Sequence, residues 1–160
     1  MQIAVISDTH MNQPAGWFIR FYEEHLAVAD LLIHCGDVTG FATWQMLMQH
    51  PNFHCARGNC DMHVQLGPQL SDFVTLDLNG FRLAACHGWG PRSSVPDRVA
   101  AHFGHDWDLI CFGHTHARYF SDEHGSLLLN PGSLGETGSW AMAHIDTSGA
   151  VSCDFRVAEC

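Results

Sequence analysis

One apolar run after another in this 160-residue chain stops at a glycine, an aspartate or a histidine. Leu109-Ile110-Cys111-Phe112 leads into Gly113-His114-Thr115-His116, and Ile3-Ala4-Val5-Ile6 leads through Ser7 into Asp8-Thr9-His10. Runs this short and this apolar read as strands buried on both faces, the pattern of a parallel sheet. The ends of such strands are where α/β sheets collect binding groups. Alternate strand side chains share a face, so His114 and His116 are expected to point the same way. Paired imidazoles at that spacing suit a transition metal.

Between the runs lie helical stretches. Residues 17–29 carry Trp17, Phe18, Phe21, His25, Val28 and Ala29 near one stripe, and residues 41–50 form a second helix ended by Pro51. Strands over 1–6, 30–35 and 52–56, separated by these helices, imply right-handed crossovers between parallel strands. His34, inside the second strand, reads as a satisfied core histidine or a support for a ligand. The pattern then changes. Residues 73–78 and 81–86 are strands joined at Asn79-Gly80, a tight hairpin signal. A helix over 95–103, a strand over 108–112, and strands over 118–121, 126–129, 140–146 and 151–156 follow, the last two as an antiparallel hairpin. With no linker or repeat, the expectation is a single α/β domain over 1–160, with two sheets and an outer layer of helices.

Composition narrows the function classes. No apolar run approaches the ~18 residues of a membrane span, and the chain opens in strand pattern without a basic leader, so a cytoplasmic protein is expected. The formal charge is −10, and all seven basic residues are arginine. Without lysine there is no Walker lysine and no Schiff-base or pyridoxal anchor. Without a basic stripe, duplex nucleic acid is not an expected partner. Seven cysteines include Cys35, Cys86, Cys111 and Cys153 inside apolar runs, and they read as small buried hydrophobes in a reducing compartment. Thirteen histidines are an excess that calls for a role.

The strand ends together offer Asp8, His10, Asp37, Asn59, His87, His114 and His116, with Asp37, Asn59, His87 and His114 each beside a glycine. One ion of four to six ligands cannot use all of these donors. Two ions sharing a carboxylate can, and Asp37 is the inferred bridge. In this order, Asp8-x-His10, Gly36-Asp37, Gly58-Asn59-Cys60-Asp61, His87-Gly88 and Gly113-His114-Thr115-His116 resemble the calcineurin-like metallophosphoesterase superfamily, in particular its small bacterial and archaeal phosphodiesterase branch, the YfcE type. Asn130-Pro131-Gly132-Ser133 is a further match.

The resemblance implies a four-layer α/β/β/α sandwich of two mixed sheets. It implies Asp8, His10, Asp37 and His116 on one divalent metal, and Asp37, Asn59, His87 and His114 on a second. Mn²⁺ stands first among the candidates, with Ni²⁺, Fe²⁺, Zn²⁺ and Co²⁺ also suited. A metal-bridged hydroxide would attack phosphorus in line. Asp37, Asn59 and His87 would act in catalysis, with Asp61 orienting a ligand through a histidine N–H or serving as a turn residue. Cys60 stands where many members have a histidine that assists the leaving group. The implied substrate is a small phosphodiester. The alternatives are a phosphomonoester, or a non-catalytic scaffold like the vacuolar-sorting subunit of retromer. Specificity is assigned to loops 11–16, 62–71 and 89–96. Arg57, Arg92 and Arg118 read as surface arginines, and Trp17, Phe18 and Trp140 as core or as the face of a homo-oligomer.

Overall fold

The computed structural model describes residues 1–159. Its first sheet grows from the strand–helix alternation at the N-terminus. Strands β1 (Gln2–Ile6), β2 (Leu31–His34) and β3 (Phe53–Cys55) pair in parallel, with helices α1 (Gly16–Phe21) and α2 (Phe41–Leu47) in the crossovers. In the second sheet, the hairpin β4 (Phe73–Leu78)–β5 (Phe81–Cys86) precedes helix α3 (Val95–Phe103) and strands β6 (Leu109–Cys111), β7 (Arg118–Ser121) and β8 (Leu128–Pro131). A short helix α4 (Leu134–Thr137) then returns the chain to the first sheet, where β9 (Ser139–Ile145) and β10 (Val151–Val157) pair antiparallel beyond β1. The orders are β10-β9-β1-β2-β3 and β4-β5-β6-β8-β7.

Strand alternation explains the layers. Ile3 and Val5 point from β1 into the space between the sheets, where they meet Ile33, Leu83, Leu109, Leu129 and Ala143. Ala4 and Ile6 point the other way, against Phe18, Phe21, Leu26, Leu32 and Trp140 under α1. On the far side, Val95 and Val99 of α3 cover Ala84, Ile110 and Phe112. This is the four-layer α/β/β/α sandwich. Each fully buried aliphatic side chain contributes about 1.5–3 kcal/mol, so the central strands anchor the whole arrangement. Phe18 and Trp140 are core side chains, which removes them from any oligomer face.

Three elements differ from the sequence reading. The helix over 17–29 turns into a π-helix at Tyr22–Leu26, where the Ala27 amide donates to the Tyr22 carbonyl at 2.8 Å. The wider turn shifts the apolar stripe, so Leu26 is buried and Val28 is exposed. The strand expected over 126–129 runs two residues later. Helix α4 was not anticipated, because four residues show no periodicity. The six described cysteines are free, and Cys35, Cys86 and Cys111 are buried among apolar side chains. Among the described residues, no helix is long and apolar enough to cross a membrane.

Candidate metal centre

The C-terminal ends of β1, β2, β5 and β6 meet at one edge of the sandwich, and the backbone there is unusual. Among the described residues, seven non-glycine residues have positive φ, and five of them are candidate ligands: Asp8 (53°), His10 (46°), Asp37 (60°), His114 (68°) and His116 (61°). Left-handed backbone is unfavourable for most L-residues, and its concentration here marks a functional edge. It also corrects the expectation from strand alternation. His114 and His116 lie beyond the end of β6, and left-handed turns send them to different places. His114 Nδ1 faces His87 Nε2 at 3.3 Å and Asn59 Oδ1 at 3.1 Å, whereas His116 Nε2 faces Asp8 Oδ1 at 3.2 Å.

The hydrogen bonds aim free electron pairs into one space. Asp8 Oδ2 accepts from Ser7 Oγ at 2.6 Å and from the His114 amide at 3.2 Å. Asp8 Oδ1 is the one buried side-chain polar atom among the described residues without a hydrogen-bond partner. It faces His116 Nε2, and His10 Nε2 at 3.9 Å. Asp37 Oδ1 accepts from the Cys60 amide at 2.7 Å, while Oδ2 lies 3.7 Å from His10 Nε2 and 3.4 Å from His87 Nε2, between the two groups of imidazoles. His87 Nδ1–H donates to the Cys35 carbonyl at 2.8 Å, and His114 Nε2–H donates to the Gly90 carbonyl at 3.0 Å. In the neutral rings this leaves His87 Nε2 and His114 Nδ1 as bare acceptors, both near Asn59 Oδ1. Acceptors facing acceptors, beside an unpartnered buried carboxylate oxygen, fit a bound cation. Asp8, His10 and His116 form one cluster with metal-ligand spacing, and Asp8, Asp37 and His87 another.

Burial pushes the Asp37 carboxyl up, but hydrogen bonding and charge from His87 and the Cys60 amide outweigh it and hold Asp37 well below the usual carboxylate range. Burial lowers the His87 pKa, but in the protonated ring the Nε2–H bond to Asp37, with the charges of Asp37 and Asp8, raises it above the ordinary histidine value. Burial, followed by the neighbouring Asp37 carboxylate, pushes the Cys60 thiol up to about 11.

Several supports were not read from the sequence. The Asp61 carboxylate meets no imidazole; it accepts the backbone amides of Asp37 (2.9 Å), Gly58 (2.7 Å) and Thr39 (2.7 Å). It is a positioning residue for the Asp37 turn. Glu136 Oε2 accepts from His116 Nδ1–H at 2.5 Å and fixes that ring's tautomer. Its signal was Ser133-x-x-Glu136, a capping pattern, and Ser133 Oγ accepts the Glu136 amide at 3.0 Å. Asn130 Nδ2 donates to the Gly113 carbonyl and Thr115 Oγ1, which clamps the His114–His116 turn. His34 is the satisfied core histidine expected: Nδ1 accepts the Gly36 amide and Nε2 bonds Thr9 Oγ1, both at 3.1 Å. At Gly58 a Cβ would lie 2.1 Å from Asp37 Oδ1, so only glycine lets this loop approach the carboxylate. Arg57 is tied to Asp72, and Arg118 to Ser139 and the Arg156 carbonyl.

A family model described as the calcineurin-like phosphoesterase superfamily domain matches residues 1–149. This chain belongs to that superfamily. It is 33% identical over 138 residues to a probable metallophosphoesterase of Methanocaldococcus jannaschii, covering 83% of this chain and 68% of the relative. A second protein of that organism, named a phosphodiesterase, is 28% identical over 148 residues, with 82% and 83% covered. A solution structure from Thermotoga maritima superposes with a TM-score of 0.70 at 30% identity, covering 98% of each chain. Vps29 of Entamoeba histolytica has the same fold, with a TM-score of 0.70 at 20% identity over 98% of this chain and 99% of the other. Membership makes this protein a hydrolase of phosphoric esters, in a family that works with divalent metal ions.

Proposed function

We propose that the protein is a phosphodiesterase with two adjacent metal positions. In this reading Asp8, His10, Asp37 and His116 hold one ion, Asp37, Asn59, His87 and His114 hold the other, and Mn²⁺ is the first candidate. The single observation that carries it is the unpartnered buried Asp8 Oδ1 at the centre of aimed imidazoles. Divalent ions bound there supply a water acidified toward neutral pH and positive charge for the phosphoryl oxygens, which an acidic chain lacks on its own. The chain's residues do the rest. The Cys35 and Gly90 carbonyls hold His87 and His114 in the ligating tautomers, Glu136 does so for His116, and Asp61 keeps the Asp37 turn rigid. Cys60 stands beside Asp37, and a thiol donates a proton less readily than an imidazolium, which favours esters with good leaving groups.

The test is hydrolysis of bis(p-nitrophenyl) phosphate and of p-nitrophenyl phosphate by stripped protein, with Mn²⁺, Ni²⁺ or Zn²⁺ restored singly. Metal-dependent cleavage of the diester above the monoester is expected, with a loss of about 100-fold or more in His87→Ala. Preference for the monoester would turn the assignment to a phosphomonoesterase. The Vps29 likeness favours a second reading, a protein-binding scaffold, and silence with every metal in protein that binds two ions would select it.

A further inference from the structure

Building on the phosphodiesterase reading, we infer that the cleft beside the metal positions receives a planar, uncharged aromatic arm of the substrate, a nucleobase or an aryl group. The cleft has a volume of about 800 Å³ and shares Asn59 and His87 with the metal centre. Its other walls come from residues of the loop at 62–68, from Asp72 and Phe73 at the start of β4, and from Trp89. Among the described residues nine large hydrophobic side chains are exposed, and four of them gather here: Met62 (85%), Val64 (83%), Phe73 (40%) and Trp89 (37%). Apolar surface concentrated beside a reactive centre is the signature of a ligand wall, whereas single exposed apolar side chains carry no such meaning.

The aromatic geometry narrows the ligand. Phe73 and Trp89 meet edge to face, with centroids 6.2 Å apart and planes at 82°. His102 stacks flat under Phe73 at 4.3 Å and meets Trp89 at 88°, so both rings are held from behind. The result is a corner of mutually packed rings that offers a flat guest one ring face and one ring edge, the two contacts aromatic pairs prefer. The charges of the cleft narrow it further. Arg57 is paired with Asp72, and the Asp61 carboxylate is committed to three backbone amides. The one arginine of the described lining is thus paired, and His63 stacks on Phe41 with Nδ1 accepting the Gln65 amide, so the cleft offers a second phosphate no unpaired guanidinium.

The experiment compares adenosine monophosphate with methyl phosphate, which share a phosphate and differ in the arm. Each is titrated into ¹⁵N-labelled protein with and without Zn²⁺, following the Trp89 indole resonance, identified by its absence in Trp89→Ala. Calorimetry gives the affinities. The expected result is a shift of that resonance by the nucleotide and an affinity about 10-fold above that of methyl phosphate, as base stacking supplies. Trp89→Ala and, independently, Phe73→Leu lower the nucleotide to the level of methyl phosphate. Equal affinities in the parent protein, a preference that survives both substitutions, or a dimer in sedimentation that buries Trp89 would overturn the inference. Turnover of methyl p-nitrophenyl phosphate separates the two readings. Turnover without a nucleotide preference removes the aromatic cleft and keeps the phosphodiesterase; a preference without turnover under any metal does the reverse.

Discussion

The two ends of the sandwich use the same backbone conformation for different ends. Where β4 turns into β5, Asn79 (φ 58°) and Gly80 (φ 95°) form a left-handed hairpin turn. A Cβ on Gly80 would meet nothing within 4 Å, and the turn is held by the Asp77 carboxylate accepting the Gly80 amide at 2.7 Å. At the opposite end Asp8, His10, Asp37, His114 and His116 are also left-handed, but the surroundings crowd them. The amides of Asp8 and His10 donate to the carbonyls of Gly36 and Asp37 at 3.0 Å, and Asp61 gathers three further amides. A solvent turn tolerates left-handed backbone because its side chains are small and free. The metal edge tolerates it because many bonds over-determine it, which is how strained conformations persist at functional sites.

Substitutions can break that contrast. Gly58→Ala drives a methyl group into the Asp37 carboxylate and displaces it. Metal affinity and kcat/KM are expected to fall about 100-fold or more, in protein whose circular dichroism is unchanged. A parent-like rate would show that the carboxylate has slack. His34, beneath the same edge, gives a pH signature. Burial, followed by repulsion from His87, lowers its pKa to about 3, so the folded protein holds it neutral while the unfolded chain protonates near the ordinary value of 6.5. The unfolded state therefore binds more protons between these values, and stability falls as pH drops from 6.5 toward 3, by at most about 1.4 kcal/mol per pH unit from this group. Urea unfolding of metal-free protein should show the slope, and His34→Asn should flatten it while costing about 2 kcal/mol at neutral pH. An unchanged slope would place the proton uptake elsewhere.

Smaller effects test the remaining supports. Glu136→Ala frees the His116 ring and should weaken metal binding about 10-fold in competition with a chromophoric chelator. At the solvent end, Gly80→Ala should cost roughly 1–2 kcal/mol of unfolding free energy and leave kcat/KM at the parent value. A large loss of activity there would mean that the two ends are coupled through β5, and the contrast would fail.

Much of this was legible in residue order. Unbroken apolar runs gave the central strands, because burial on both faces demands it, and Asn79-Gly80 gave the hairpin through its turn chemistry. That the aspartate, asparagine and histidine side chains at the strand ends converge on one edge was legible as well, since such residues beside glycine have few other reasons to recur there. Short or irregular elements were not: α4 lacks a period, and the π-turn after Phe21 differs from an α-helix by one added residue per turn. Asp61 read equally as a partner of a histidine N–H or as a turn residue, and only the folded loop decides for the turn, with three amides converging on its carboxylate.

Chemistry of neighbours along the chain thus nominated the candidate metal donors and indicated where strands end. Electron-pair direction was settled only by the fold. Asp8 and His114 stand 106 residues apart, yet the His114 amide closes on Asp8 Oδ2 and leaves Oδ1 bare. The aromatic corner of Phe73, Trp89 and His102 is likewise assembled from β4, the loop after β5, and α3. Hydrogen bonds and ring contacts act over a few ångströms, and which groups come that close depends on how two sheets stack, a distance that no local pattern encodes.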